Sequence, residues 1–300
     1  MALVTTAVVP VAGLGTRLLP ATKSQPKEML PVGGKPVVQH VVEELADAGI
    51  ERVVFVTGRG KESIQDHFDH DPVLMRTLAL RADDELIGRL AFERTGVTFA
   101  YTRQPAPRGL GDAVLCAEGF TGDGPFAVAL GDAIIGTRTR NGIVRRLGEA
   151  LEAHGAVCAI AVREVPREHS GRYGIVSLEG DGEVARVTSI VEKPDPALAA
   201  STWAVAARYV MTPAIFDALR ATEPGARREV ELTDAIAQLV AGGAPVVALR
   251  LGDLVRHDVG THESYEKAFL AFALSDPQHG AALRAYARDL LDGERPSPGS

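Results

Sequence analysis

Gly13 and Gly15 stand one residue apart directly after the apolar run Thr6-Ala7-Val8-Val9-Pro10-Val11. Two glycines so placed allow tight backbone curvature with no Cβ in the way, so successive N–H groups can face an anion. The stretch Ala12-Gly13-Leu14-Gly15-Thr16-Arg17 therefore has the make-up of a phosphate-cradling turn. It is not the dinucleotide fingerprint, because Leu18 stands where a third glycine is required, and no Gly-Lys-Ser/Thr closes it as in a Walker A loop. Taken alone, it is equally a plain strand-to-helix connection. The neighbouring residues tip the balance: Arg17, then Lys23 and Lys27 in a segment with prolines at 20, 26 and 31. These prolines predict an extended, stiff strap rather than a helix, with its ammonium groups fixed beside the glycines, as a polyphosphate would require. The chain has only six lysines, at 23, 27, 35, 61, 193 and 267, against 26 arginines, so a retained Lys points to a need for a compact ammonium.

Three later constellations are of the same kind. Gln104 and Gly109 sit between an expected strand and helix; the Gln amide can donate and accept at once, and the glycine lets a base or ribose approach the backbone, although Gln104 is equally an ordinary polar residue at a strand end. Asp132 ends the apolar run Ala127 to Gly131, and Asp258 precedes Val259-Gly260. Two carboxylates suit Mg²⁺, which takes oxygen ligands and completes its shell with water and phosphate. Nothing in the spacing shows that these two meet, and Asp after a strand is usually a turn or cap residue. Arg172-Tyr173-Gly174 and Glu192-Lys193-Pro194 flank an expected hairpin, which would bring Gly174 beside Glu192 and Lys193 and offer oxygens to hydroxyls and an ammonium to a phosphate. A Glu-Lys pair before Pro is also a common solvated strand end.

The elements that must position these residues alternate. Strands are expected at 5–11, 52–57, 97–102, 126–130, 156–162, 203–211 and 245–251, with helices from Pro36 to Gly49, over most of 63–92, and near 111–119, 142–153, 213–220, 233–241, 262–274 and 279–292. Tyr173 to Glu192 reads as a β-hairpin around Gly180-Asp181-Gly182. This pattern predicts a Rossmann-like α/β fold with a mostly parallel mixed sheet, helices on both faces, the inserted hairpin and a helical C-terminus. One domain over 1–275 is expected, with a helix and frayed tail over 276–300. At 46% hydrophobic and 24% charged, the chain can bury a full core. Its net charge of -7 gives no general attraction for nucleic acid. Two cysteines, Cys116 and Cys158, lie outside any ligand pattern, and no apolar stretch reaches a membrane span, so the expected compartment is the cytoplasm.

Gly13-Leu14-Gly15-Thr16-Arg17, Pro20-Ala21-Thr22-Lys23, Pro26-Lys27-Glu28-Met29-Leu30-Pro31 and Lys35-Pro36 together resemble the signature of the sugar-1-phosphate nucleotidylyltransferases, and among them the bacterial UTP–glucose-1-phosphate uridylyltransferases. The resemblance extends to Phe272. It implies a GT-A-like nucleotidyltransferase fold, a nucleotide-binding part over about 1–135 and a sugar-phosphate part over about 136–260. It implies that UTP and α-D-glucose 1-phosphate give UDP-glucose and pyrophosphate with Mg²⁺ as cofactor, in a homodimer or homotetramer. Ala12, Gly13, Gly15, Thr16, Gln104 and Gly109 then hold the nucleotide; Gly174, Glu192 and Lys193 hold the sugar phosphate; Arg17, Lys27 and Lys193 act on the reacting phosphates; Asp132 and Asp258 hold the metal. The chain departs from the family pattern at Asp112, commonly His, at Ala207, usually Gly, and at Glu231, where the family has Gln. Two alternatives stay open: the same chemistry with dTTP or another sugar 1-phosphate, and a non-catalytic paralogue that senses UDP-sugars.

Overall fold

The computed structural model describes residues 4–137, 142–225 and 228–293. Nine strands form one sheet: β1 (Thr6–Pro10), β2 (Arg52–Thr57), β3 (Thr98–Arg103), β4 (Phe126–Ala129), β5 (Cys158–Glu164), β6 (Gly174–Glu179), β7 (Val184–Glu192), β8 (Trp203–Met211) and β9 (Val246–Arg250). Their spatial order is β3-β2-β1-β4-β8-β5-β9-β7-β6, and β6 also pairs with β8. Strands β1 to β4 run parallel to one another. Beyond them the sheet is not the mostly parallel one expected: β8 lies antiparallel to β4 and β5, and β7 antiparallel to β9 and β6, with only β5 and β9 parallel. Alternation reports crossovers between consecutive strands, whereas β8 follows β7 through a helix-free link and enters between β4 and β5 from the opposite end.

Both faces of the sheet are covered, which is why the central strands read as continuous apolar runs. Ala7 and Val9 of β1 pack with the helices Val37–Asp47, Glu62–Phe68 and Ile143–Ala153. Val8, pointing the other way, packs with Leu110–Leu115, Ala214–Ala221 and Leu232–Ala241. The helical region expected over 63–92 is three short helices ending at Arg89, with Asp71 and Asp83 capping the second and third.

A smaller core of Leu18, Leu30, Val32, Val37, Ile134, Val259, Ala268 and Phe272 fastens the proline-rich strap to the helix His262–Ser275. The strap is not extended. It is three single 3₁₀ turns, Thr16–Leu18, Ala21–Lys23 and Lys27–Met29. Pro20 and Pro26 stand immediately before the second and third, where a missing N–H breaks no helical bond. Two short antiparallel pairs also went unforeseen: Pro31–Val32 with Lys35–Pro36, and Ala133–Ile135 with Arg256–Asp258. The chain closes with His262–Ser275 and Gly280–Leu291; the tail expected to fray at 296–300 lies outside the described residues. Among the described residues no helix is long and apolar enough to cross a membrane.

Candidate functional site

The chain leaves β1 towards β2 on one side and returns to β4 on the other, so the carboxyl ends of these adjacent parallel strands part at a topological switch point, where open α/β sheets form a crevice. A cavity of about 520 Å³ lies there, lined by Ala12 to Arg17 after β1, Leu130 and Asp132 after β4, and Lys27, Gln104 and Gly109. A second, of about 740 Å³, adds Gly174, Glu192, Arg256 and Asp258, and shares Arg17, Leu110, Leu130, Asp132, Lys193 and Glu231 with the first. Apart from Lys23, every residue singled out from the sequence for nucleotide, sugar phosphate or metal lines one cavity or both. Of the other three lysines in the 23–61 stretch, none does. Lys35 pairs with Glu43, Lys61 with Glu28 at 2.8 Å, and Lys23 lines neither cavity.

In the glycine turn, Gly15 has φ 67°, and a Cβ there would lie 3.3 Å from the Thr22 side chain, whose hydroxyl donates to the Gly15 carbonyl at 2.8 Å. The strap thus braces the turn and brings the Lys27 ammonium to 3.7 Å from where a Cβ on Gly13 would be. Lys27 is ion-paired with Asp132. Burial alone would lower the Lys27 pKa, but Asp132, Glu28 and Asp258 outweigh it and hold the amine above the usual lysine range. Burial would likewise raise Asp132, yet Lys27 and Arg256 hold it below the ordinary carboxylate value. Next to Lys27, Glu28 is buried against Lys61, and their ion pair fixes the third turn of the strap.

The unforeseen strand pair answers whether the two aspartates meet. Asp258 lies opposite Ala133 in register, and the Val259 N–H donates to the Asp132 carbonyl at 2.8 Å. Arg256 Nη2 donates to Asp258 Oδ1 at 2.8 Å, and its guanidinium lies 5.1 Å from the centre of the Tyr173 ring. The donor set is chemically apt for a hard divalent cation that fills its remaining positions with water and phosphate oxygens. Among the described residues no group of three or more His, Cys, Asp or Glu could hold a metal by itself, so the substrate would have to complete the shell.

At the other end of the first cavity, Gln104 Nε2 donates to Asp112 Oδ2 at 2.8 Å and to the Gly109 carbonyl at 3.0 Å. Asp112, one of the three departures from the family pattern, therefore fixes which way the amide points and leaves Oε1 as the available acceptor. Gly109, at φ 102°, must be glycine: a Cβ would lie 2.5 Å from the Val230 carbonyl, held close because Val230 exchanges backbone bonds with Arg108 and Gly111.

In the second cavity Gly174 and Glu192 are opposite one another in the β6–β7 register. Glu192 Oε2 accepts from the Thr233 hydroxyl at 2.8 Å, so Thr233 serves this carboxylate and does not cap its own helix. Lys193, at φ 45°, turns back at the end of β7, and its ammonium lies 2.7 Å from Glu192 Oε1. Asp112, Arg256, Thr233 and the Glu28–Lys61 pair were not singled out from the sequence for these contacts. Lys61 stood out only as one of the few lysines, and no local pattern ties it to Glu28.

The family model described as nucleotidyl transferase matches residues 6–274. A UTP–glucose-1-phosphate uridylyltransferase of Bacillus subtilis is 42% identical over 289 residues, covering 96% of each chain. Its counterpart numbered 2 in Streptococcus pyogenes serotype M1 is 43% identical over 291 residues, covering 95% of each. Among solved structures, the UTP-bound enzyme of Acinetobacter baumannii matches with a TM-score of 0.84 at 34% identity, covering 96% of this chain and 99% of that one. A UDP-glucose pyrophosphorylase complexed with UDP-glucose matches at 0.80 and 33%, covering 90% and 98%. With its glycine turn, strap and paired aspartates built on a mixed sheet, the chain belongs to the nucleotidyl transferase family and, within it, to the UTP–glucose-1-phosphate uridylyltransferases.

Proposed function

We propose that this chain is an enzyme that joins UTP to α-D-glucose 1-phosphate and releases UDP-glucose and pyrophosphate. The observation that carries this reading is the seam: Arg17, Asp132 and Lys193 belong to both cavities, so two phosphorylated ligands would meet there. Both ligands are anions. The work of the site is therefore charge neutralisation and in-line placement, with no covalent enzyme intermediate. Backbone N–H groups from Gly13 to Thr16 and the Arg17 guanidinium take the β- and γ-phosphates. Lys27 and Lys193 neutralise the α-phosphate and the sugar phosphate, and Glu192 with Gly174 receives sugar hydroxyls. Asp132 and Asp258 would hold Mg²⁺, which when bound neutralises phosphate charge. A sugar-phosphate oxygen bonds to the α-phosphorus as the bond to the β-phosphate oxygen breaks. That nucleophile is already ionised at neutral pH, so no general base is required.

The base preference rests on Gln104. With both amide hydrogens committed to Asp112 and Gly109, Oε1 can accept from the N3–H of uracil, whereas cytosine carries an acceptor at N3. The nucleotide part then falls over about 1–135 and the sugar part over about 136–260, joined at the seam. Pyrophosphate release measured across the four ribonucleoside triphosphates, dTTP and a panel of sugar 1-phosphates tests the reading. The highest kcat/KM is expected for UTP with glucose 1-phosphate. Binding of UDP-glucose with no turnover of any pair would instead mean a sensor, and preference for dTTP would move the activity to thymidylyl transfer.

A further inference from the structure

Glu231 stands where the two cavities join, and the groups around it are unbalanced. Glu229 and Glu231 flank Val230, and both line the first cavity, while Glu231 also lines the second. Lys193 Nζ lies 2.7 Å from Glu192 Oε1 and 3.9 Å from Glu231 Oε1, so one ammonium serves two carboxyl groups. Glu229, two residues before Glu231 on the same segment, adds further negative charge. Asp234 on the helix Leu232–Ala241 and Tyr209 on β8 feel the same negative charge, each raised first by burial and then by Glu192. Burial and then Glu192 push Glu231 up to about 7, against the opposing pull of Lys193. When Lys193 turns to a ligand phosphate, these carboxyl groups lose the counter-charge they share. A second anion on the sugar would then meet uncompensated negative charge.

We infer that Glu231 is a specificity-determining residue, which admits neutral hexose 1-phosphates and turns away sugars bearing a second anionic group, such as a uronic acid 1-phosphate. This rests on the sugar-phosphate reading above. The charge at Glu231 grows as its proton leaves, so discrimination should rise with pH, and the isosteric amide should remove that rise.

The test measures kcat/KM with UTP for glucose 1-phosphate and for glucuronic acid 1-phosphate, in the wild type and in Glu231→Gln, at pH 6 and pH 8. The ratio of the two substrates cancels the titration of the phosphate they have in common. In the wild type that ratio is expected to rise about tenfold between the two pH values, which corresponds to about 1.4 kcal/mol. In Glu231→Gln it should fall by about tenfold at pH 8 and become the same at both pH values. A wild-type ratio that stays flat with pH, or a variant ratio within about twofold of wild type at pH 8, overturns the inference. Absence of any turnover of glucose 1-phosphate by the wild type would instead remove the reading beneath it.

Discussion

Lys27 and Asp132 neutralise one another in the free protein, each holding the other in its charged form against burial. In the proposed reaction both charges face phosphate, one directly and one through the cation it would bind, so neither can be replaced by a neutral group of similar size. Lys27→Ala and Asp132→Asn are each expected to lower kcat by about 100-fold or more, on the order of 3 kcal/mol in the barrier. Steady-state kinetics on variants shown to be folded by circular dichroism would check this, and near-normal turnover in both would remove these two roles. The residues that line the two cavities were largely visible in the sequence because the phosphate chemistry proposed for them demands few residue types: glycines for a turn, ammonium and guanidinium groups for charge, carboxylates for a cation. Their partners were not. That Asp112 would hold Gln104 depends on how the connection between them turns, and that Thr233 would hold Glu192, far away in sequence, depends on which segments fold beside each other.

At the scale of elements, the strap and the C-terminal helix carry the glycine turn between them, and His40 is one of their fasteners. It sits on the helix Val37–Asp47, its Nε2–H donates to the Val32 carbonyl at 2.8 Å, and its ring meets Phe272 edge-on with centroids 4.9 Å apart. Burial, which outweighs the Val32 hydrogen bond, lowers its pKa from 6.5 to about 4. Between those values the unfolded chain takes up a proton that the folded one refuses. The contribution of neutral His40 is therefore complete above about pH 6.5 and is lost as the pH falls towards 4, by roughly 3 kcal/mol at most. Urea unfolding of wild type and His40→Gln across this range should show the excess slope in the wild type only; parallel curves would mean that the imidazole is not held neutral. The central strands and the longer helices, such as Val37–Asp47 and Ile143–Ala153, were legible here because periodicity is a local signal, whereas the breaks within 63–92 and 111–119 were not. The 3₁₀ turns and the Ala133–Ile135/Arg256–Asp258 pair were not, since two- and three-residue strands carry too few positions to show a period.

Across the whole molecule, one buried ion pair ties the two halves of the sheet to the site. Arg208, fully buried in β8, donates from Nε to Glu44 Oε1 at 2.9 Å and from Nη2 to Glu44 Oε2 at 2.7 Å; it also reaches the carbonyls of Ala207 and Ala133 at 3.0 Å each. Glu44 belongs to the helix after the strap, and Ala133 follows Asp132. Removing one partner leaves the other charge buried without compensation, so Arg208→Met should cost about 3 to 5 kcal/mol of unfolding free energy. Thermal unfolding within a few degrees of wild type would contradict this. A mixed sheet was expected from the sequence, but the strand order and antiparallel entry of β8 that place this pair were beyond it, because strand order depends on which faces and edges find each other after the elements form.

The central claim is that the glycine turn, Arg17 and Lys27, and Asp132 with Asp258 converge on one nucleoside triphosphate. A crystal structure of the protein grown with UTP and Mg²⁺ tests this most directly. The expected result has the β- and γ-phosphates against the backbone of Gly13 to Thr16, the base at Gln104, and the metal bound by both aspartates. A triphosphate seated outside the crevice between β1 and β4, or a metal held by neither carboxylate, would contradict it.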